Sequence, residues 1–153
     1  MGLRLQIDEK YKSALKSKNS YEINTIRLIK SAIKNKDIEN RTKENQELIN
    51  DQQIIIVLQN LVKQRQDSIK YFTTASRNDL IEKEKKEIEI IYQFLPEQIS
   101  KDEIETIIEK FISDNNISTI KDMAKIMSYL KLNYTGTIDM GFAGKIAKNL
   151  LGG

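Results

Sequence analysis

Between Asn50 and Leu95 the apolar residues keep to helical spacing and break step only once, at Ser76-Arg77-Asn78-Asp79. Ile54, Leu58, Leu61, Val62, Ile69 and Phe72 supply one stripe. It predicts a helix capped by Asn50 or Asp51 and running to about Ala75. The run Ile54-Ile55-Ile56-Val57 has strand propensity, but the periodic residues around it outweigh that. At roughly 25 residues the helix spans about 38 Å, so it acts as a strut. After the break, Leu80, Ile81, Ile88, Ile91, Tyr92 and Leu95 mark a second helix. Asp79 stands where a carboxylate can accept the orphan amides of a first turn. Pro96 ends the helix, because the residue before a proline is pushed out of the α region. Two helices joined by so short a turn fold back as an antiparallel hairpin.

The flanking segments carry the same period. Leu3, Ile7, Tyr11, Ala14 and Leu15 predict an amphipathic helix over residues 3–18. Ile23, Ile26, Ile29 and Ile33 predict another, from an N-cap at Ser20 to about Asp37. Lys30 falls at the edge of that face, with its stem on apolar surface and its charge in water. Glu39–Asn50 is polar and poorly periodic, a connector with room for one helical turn. Beyond Pro96, Ser100 and Glu103 form a capping box ahead of Ile104, Ile107, Ile108, Phe111 and Ile112, and Asn115-Asn116 stop that helix. Thr119 to Asp122 repeats the start signal before Met123, Ile126, Met127 and Leu130. Gly136 and Asp139 mark the last turn, before Phe142, Ala143, Ile146, Ala147 and Leu150. With six Gly and one Pro in 153 residues, the chain is expected to be all-α. An N-terminal helical domain with the long hairpin would occupy residues 1–95, and a compact three-helix bundle residues 96–153.

Composition removes whole classes of chemistry. The chain has no Cys and no His, which excludes thiol nucleophiles, disulfides, ordinary zinc sites and imidazole acid–base catalysis. No catalytic residue, metal or cofactor is expected. No apolar run approaches the roughly 18–20 residues that cross a bilayer, and Met1 to Gln6 shows neither a signal-peptide core nor a myristoylation pattern. The default is therefore a cytoplasmic chain with no membrane partner, or one in an organellar matrix if a leader has been removed. The net charge of +3 hides an uneven distribution. Residues 1–43 hold eleven Lys and Arg against five Asp and Glu, residues 96–120 two against six, and residues 121–153 five against two. A solvated helix face accounts for such excesses most simply; a phosphate-backbone footprint is the sharper reading.

Two groups of residues invite a functional reading. Lys63, Gln64, Arg65 and Ser68 lie on the first arm of the hairpin, Arg77 and Asp79 at its turn, and Glu84 and Glu87 on the second arm. An antiparallel register brings Glu87 level with Ser68 and Glu84 with Tyr71, and a side chain as long as Arg65 then reaches Glu87. Such a network either fixes the register of the hairpin or forms a ligand- or RNA-contacting patch. The second group is Lys121, Lys125, Lys131, Lys145 and Lys148, with Lys121/Lys125 and Lys145/Lys148 each spaced for one helical face, as a phosphate contact requires. Tyr129 and Tyr134 flank the nearby glycine loop, where a ring can stack on a base. Met123, Met127 and Met140 either form an adaptable docking surface or fill a small core.

The succession Lys63-Gln64-Arg65, Ser68, Phe72, Arg77, Asp79-Leu80, Glu84, Glu87 and Leu95-Pro96-Glu97-Gln98, Ser100 resembles the GatB/YqeY family, which shares a domain with the tail of the GatB component of the glutamine-dependent tRNA amidotransferase. Asp122-Met123-Ala124-Lys125-Ile126-Met127 is similar to the family's Asp-Met-Gly-Lys-x-Met run, with Ala in place of Gly. Gly136-Thr137-Ile138-Asp139-Met140 stands where the family has a glycine-basic loop, and the basic residue is missing here. The resemblance implies an N-terminal helical domain and a C-terminal three-helix domain similar to the amidotransferase tail. Joined to the charge distribution, it leads to the expectation of a non-catalytic tRNA-binding or tRNA-handling accessory protein, with Lys121, Lys125, Lys131, Tyr134, Lys145 and Lys148 as contacts and the N-terminal basic helices as a second one. Its alternative is a component of a glutamine-dependent carbon–nitrogen ligase, working with an amidotransferase or an aminoacyl-tRNA synthetase complex. A helical protein-interaction module is a third reading.

Overall fold

The computed structural model describes residues 2–152. Seven α-helices and one 3₁₀ turn make up its regular structure, and no strand occurs among the described residues. The chain packs as two compact units that adjoin in sequence at Leu95 and Pro96.

The first unit contains α1 (Leu3–Ser17), α2 (Ser20–Asn40), α3 (Asp51–Thr74) and α4 (Asn78–Tyr92). α3 and α4 form the expected hairpin. Asn50 caps α3 with a complete capping box: its side chain accepts from the Gln53 amide and the Gln53 side chain from the Asn50 amide, both at 2.9 Å. The turn between the arms is closed by Ser76 in the left-handed region, at φ 56°, one residue ahead of the Arg-Asn-Asp run that signalled it. Ile26, Ile29, Ile54, Leu58 and Ile91 are fully buried at the centre of this unit.

Several local expectations shift. Asn19, not Ser20, caps α2, accepting from the Glu22 amide at 3.2 Å; Ser20 is already helical. α2 also runs past Asp37 to Asn40. The connector after it has no helical turn, yet its Ile49 is buried. Ile69 and Phe72 are only half-buried, because they lie on the far end of α3, beyond the cover of α1 and α2. Leu95 is half-buried and Phe94 takes its place inside. The reason is a change of phase: after Tyr92 the amides of Gln93, Phe94 and Leu95 bond three residues back, to Ile90, Ile91 and Tyr92, and a tighter turn rotates the next side chain inward.

The second unit contains α5 (Lys101–Asp114), the 3₁₀ turn (Ile120–Asp122), α6 (Met123–Tyr134) and α7 (Met140–Leu150). Ile104, Ile108, Ile126, Leu130, Ala143 and Ala147 are buried where the three helices meet. Ser100 caps α5 by accepting from the Glu103 amide at 3.2 Å, but the reciprocal bond of a capping box is not made. Thr119 makes no side-chain cap; the chain enters α6 through the 3₁₀ turn instead. Asp139 caps α7, accepting from the Phe142 amide at 3.1 Å. Gly136 bends the preceding loop at φ 84°, a conformation open to glycine without steric cost. Met123, Met127 and Met140 are partly buried against this core, the filling role rather than an exposed docking surface.

Candidate functional site

In the hairpin, Arg65 on α3 and Glu87 on α4 meet. The Arg65 Nε donates to Glu87 Oε2 at 2.8 Å, and its Nη1 donates to the Leu61 carbonyl at 3.0 Å. Each side chain is 11 % exposed. Charged groups so far out of water persist because each satisfies the other. Glu84 lies one turn from Glu87 on the same helix; burial and the neighbouring Glu87 charge push its carboxyl above the usual range, against an opposing pull from Arg65. These three residues form one cluster.

The rest of the motif lies elsewhere. Lys63 and Gln64 are exposed on the outer face of α3, and the Ser68 hydroxyl donates to the Gln64 carbonyl at 3.1 Å. Arg77 and Asp79 make their own ion pair at the turn, with Nε and Nη2 donating to the two carboxylate oxygens at 3.3 and 3.2 Å. The Arg77 hydrogen bond holds the Asp79 carboxyl below its usual range. Asp79 is the second residue of α4; its carboxylate is engaged first by the guanidinium and then by the amides of the helix start, at Leu80 and Asp79 itself. Nothing in this arrangement pairs a nucleophile with a base. Among the described residues no group of three or more His, Cys, Asp or Glu side chains is placed to hold a metal ion, and no helix is long and apolar enough to cross a membrane.

In the second unit, Lys121, Lys125, Lys131, Lys145 and Lys148 are all exposed. Lys125 has a carboxylate partner, Asp122, at 3.4 Å, and remains 72 % exposed. The other four make no ion pair among the described residues. The aromatic residues behave differently. Phe111 stacks on Tyr129 at 4.3 Å with the rings 19° from parallel, and Tyr134 meets Tyr129 edge-on at 6.1 Å. The hydrogen bond with Tyr129 raises the Tyr134 phenol above its usual range. Both tyrosines are half-buried, so the stacking surface expected of Tyr129 and Tyr134 is largely taken up inside the unit.

One centre escaped the reading of the sequence. Asp37 is buried, and its carboxylate accepts from Arg4 Nη1 and Nη2, both at 3.0 Å, and from the Ile49 amide at 2.9 Å. The Arg4 hydrogen bonds, ahead of the Ile49 amide, hold it below the usual carboxylate range, against the opposing effect of burial. Asp51 accepts from the Leu3 amide nearby, at 3.2 and 3.3 Å. Together these bonds tie α1, the end of α2 and the connector to the start of α3.

An all-helical protein of two units, whose buried charges lock the first and whose second carries exposed lysines, is the class that this geometry defines. The chain belongs to the YqeY-like protein family, whose model matches residues 4–151. It is similar to the "Altered inheritance of mitochondria protein 41, mitochondrial" of several fungi. The Kluyveromyces lactis protein is 34 % identical over 105 residues, 67 % of this chain and 55 % of that protein. The Pyrenophora tritici-repentis protein is 29 % identical over 133 residues, 84 % of this chain and 70 % of that one. The Clavispora lusitaniae protein is 42 % identical over 84 residues, 55 % and 46 % of the two chains. The chain spans about half the length of most of these curated relatives.

Proposed function

We propose that the chain is a non-catalytic tRNA-holding accessory protein, and that the lysines of α6, α7 and the 3₁₀ turn are its principal contact. One observation supports this most: in a small unit whose core is wholly apolar, Lys121, Lys131, Lys145 and Lys148 stand in solvent without a carboxylate partner. Cations so placed release counterions on meeting a phosphate backbone, and that release supplies most of the affinity of a sequence-independent contact. The absence of Cys and His from the sequence favours a holding role over a bond-making one. Where amide transfer from glutamine is involved, a partner would carry the amidase and the nucleotide site. The relatives' names support a mitochondrial setting as readily as a cytoplasmic one.

The test is a polarization titration with bulk tRNA. Lys145→Glu with Lys148→Glu weakens binding, and more than Lys83→Glu with Lys85→Glu, which makes the same change of charge on α4. Equal effects of the two pairs contradict the assignment, and glutamine hydrolysis by the purified chain contradicts the non-catalytic reading.

A further inference from the structure

The basic excess of residues 1–43 is not spread evenly over the surface of the first unit. Four of its cations are compensated: Arg4 by Asp37, Lys10 by Glu22, Lys30 by Asp8 and Lys36 by Glu39. These pairs use every acidic residue of the segment except Glu9. Seven cations remain, and two of them, Arg27 and Lys34, share a face of α2 with Lys30.

That face borders the groove between α1 and α2, which lie antiparallel, as the pairing of Arg4 with Asp37, Asp8 with Lys30 and Tyr11 with Arg27 requires. A depression of about 340 Å³ lies there, with Arg4, Asp8, Lys30, Lys34 and Asp37 on its walls and Ile7 and Ile33 beneath; its two carboxylates are those already paired with Arg4 and Lys30. Ile7 and Ile33 are 1 % and 3 % exposed, so neither isoleucine is an anchor of the kind that dominates protein–protein affinity. Arg27 is held in place at the end of this ridge. Its Nε donates to the Tyr11 hydroxyl at 3.0 Å, its guanidinium lies 5.9 Å from the Tyr11 ring centroid, and Lys30 Nζ sits 4.7 Å from the same ring. Restrained side chains lose less freedom on binding. Along the helix axis Arg27 and Lys34 are about 10.5 Å apart, far enough to meet more than one phosphate of a strand whose charges recur every few ångströms.

The geometry points to the α1–α2 groove as a second phosphate-binding surface for the same RNA, with Arg27 and Lys34 as its uncompensated contacts; this inference rests on the RNA-holding reading above. The same titration, run with the full chain at several salt concentrations, tests it. Arg27→Gln with Lys34→Gln lowers the slope of log affinity against log salt by about 2, one unit per phosphate contact. Lys12→Gln with Lys16→Gln removes the same charge from the outward face of α1 and lowers it much less. Arg27→Lys with Lys34→Arg, which keeps both charges, retains the wild-type slope, and circular dichroism checks that every variant is folded.

Equal losses from the Arg27/Lys34 and Lys12/Lys16 pairs overturn the groove in favour of diffuse charge. Unchanged binding in the Arg27/Lys34 pair, while Lys145→Glu with Lys148→Glu still weakens it, overturns the groove and leaves the second unit's role intact. A pair that keeps tRNA but loses a polyglutamate probe overturns the RNA assignment in favour of an acidic protein partner. No binding of tRNA by the wild-type chain removes both readings at once.

Discussion

The two units handle charge in opposite ways. All four polar or charged side chains that are buried among the described residues, Thr25, Asp37, Arg65 and Glu87, belong to the first unit; the second buries only apolar ones around Ile108 and Leu130. In the first unit, charges are used to set register: Arg65 with Glu87 aligns α3 and α4, and Asp37 gathers Arg4 and the connector. In the second, three short helices need no such device, and its lysines are left to solvent. A dense run of polar residues can therefore serve packing as well as a surface. At the centre of the motif the Arg65–Glu87 pair joins two helices, whereas the lysines near the C-terminus stand in solvent.

The largest effect that can break this contrast is expected at the hairpin. Glu87→Ala leaves Arg65 buried without its partner and destabilises the first unit by about 3–5 kcal/mol, whereas Arg65→Met with Glu87→Leu costs far less, because an apolar pair needs no compensation. Urea unfolding of the three proteins measures the difference. Glu84 sharpens it: its carboxyl is raised, so the charged form is disfavoured in the fold and the penalty is present above its folded pKa, relieved as pH falls. Glu84→Gln is accordingly neutral or stabilising at pH 7, while Glu87→Gln is destabilising. If the two substitutions act alike, the cluster is not the lock described here.

Next in size is Asp37. Its folded pKa is depressed, so its contribution is fully present above the unfolded value and is lost as pH falls through the folded one. Asp37→Ala lowers stability by about 1.5–3 kcal/mol at pH 7, the worth of hydrogen bonds to a charged group. The gap between variant and wild type closes as acid protonates Asp37 in both the folded and unfolded wild-type chain. A gap that stays constant down to strong acid contradicts the assignment. Among the described residues the second unit has no buried carboxylate side chain to lose in this way.

The smallest effect compares caps. Asn50→Ala and Asp139→Ala each remove a side-chain acceptor from a helix start, at a cost of about 1 kcal/mol. Thermal denaturation of each variant tests whether the cost falls on the unit that holds the cap. Thr119→Ala, where no cap bond is made, leaves the melting curve in place.

Much of this was legible in the sequence. Periodicity, with cap and proline signals at the ends, located the seven helices, because Ile and Leu recur with few Gly or Pro between them. The meeting of Arg65 with Glu87 followed from folding two arms about one short turn. Asp37 was not legible: it looked like a helix end, and its partners are Arg4, 33 positions away, and the amide of Ile49 in a connector without periodic pattern. Nor was the inward turn of Tyr129 and Tyr134, since a ring next to a glycine loop serves a core as well as a ligand, and only the stack with Phe111 decides between them. The change of phase that buries Phe94 instead of Leu95 depends on where α4 stops, and Pro96 sets that point only within a turn.

The most direct measurement is the affinity of the intact wild-type chain for tRNA across a salt series. Five lysines on phosphates predict a linear fall of log affinity with log salt, with a slope of about −3.5 or steeper. Binding that ignores salt, or no binding at the lowest salt, contradicts the account.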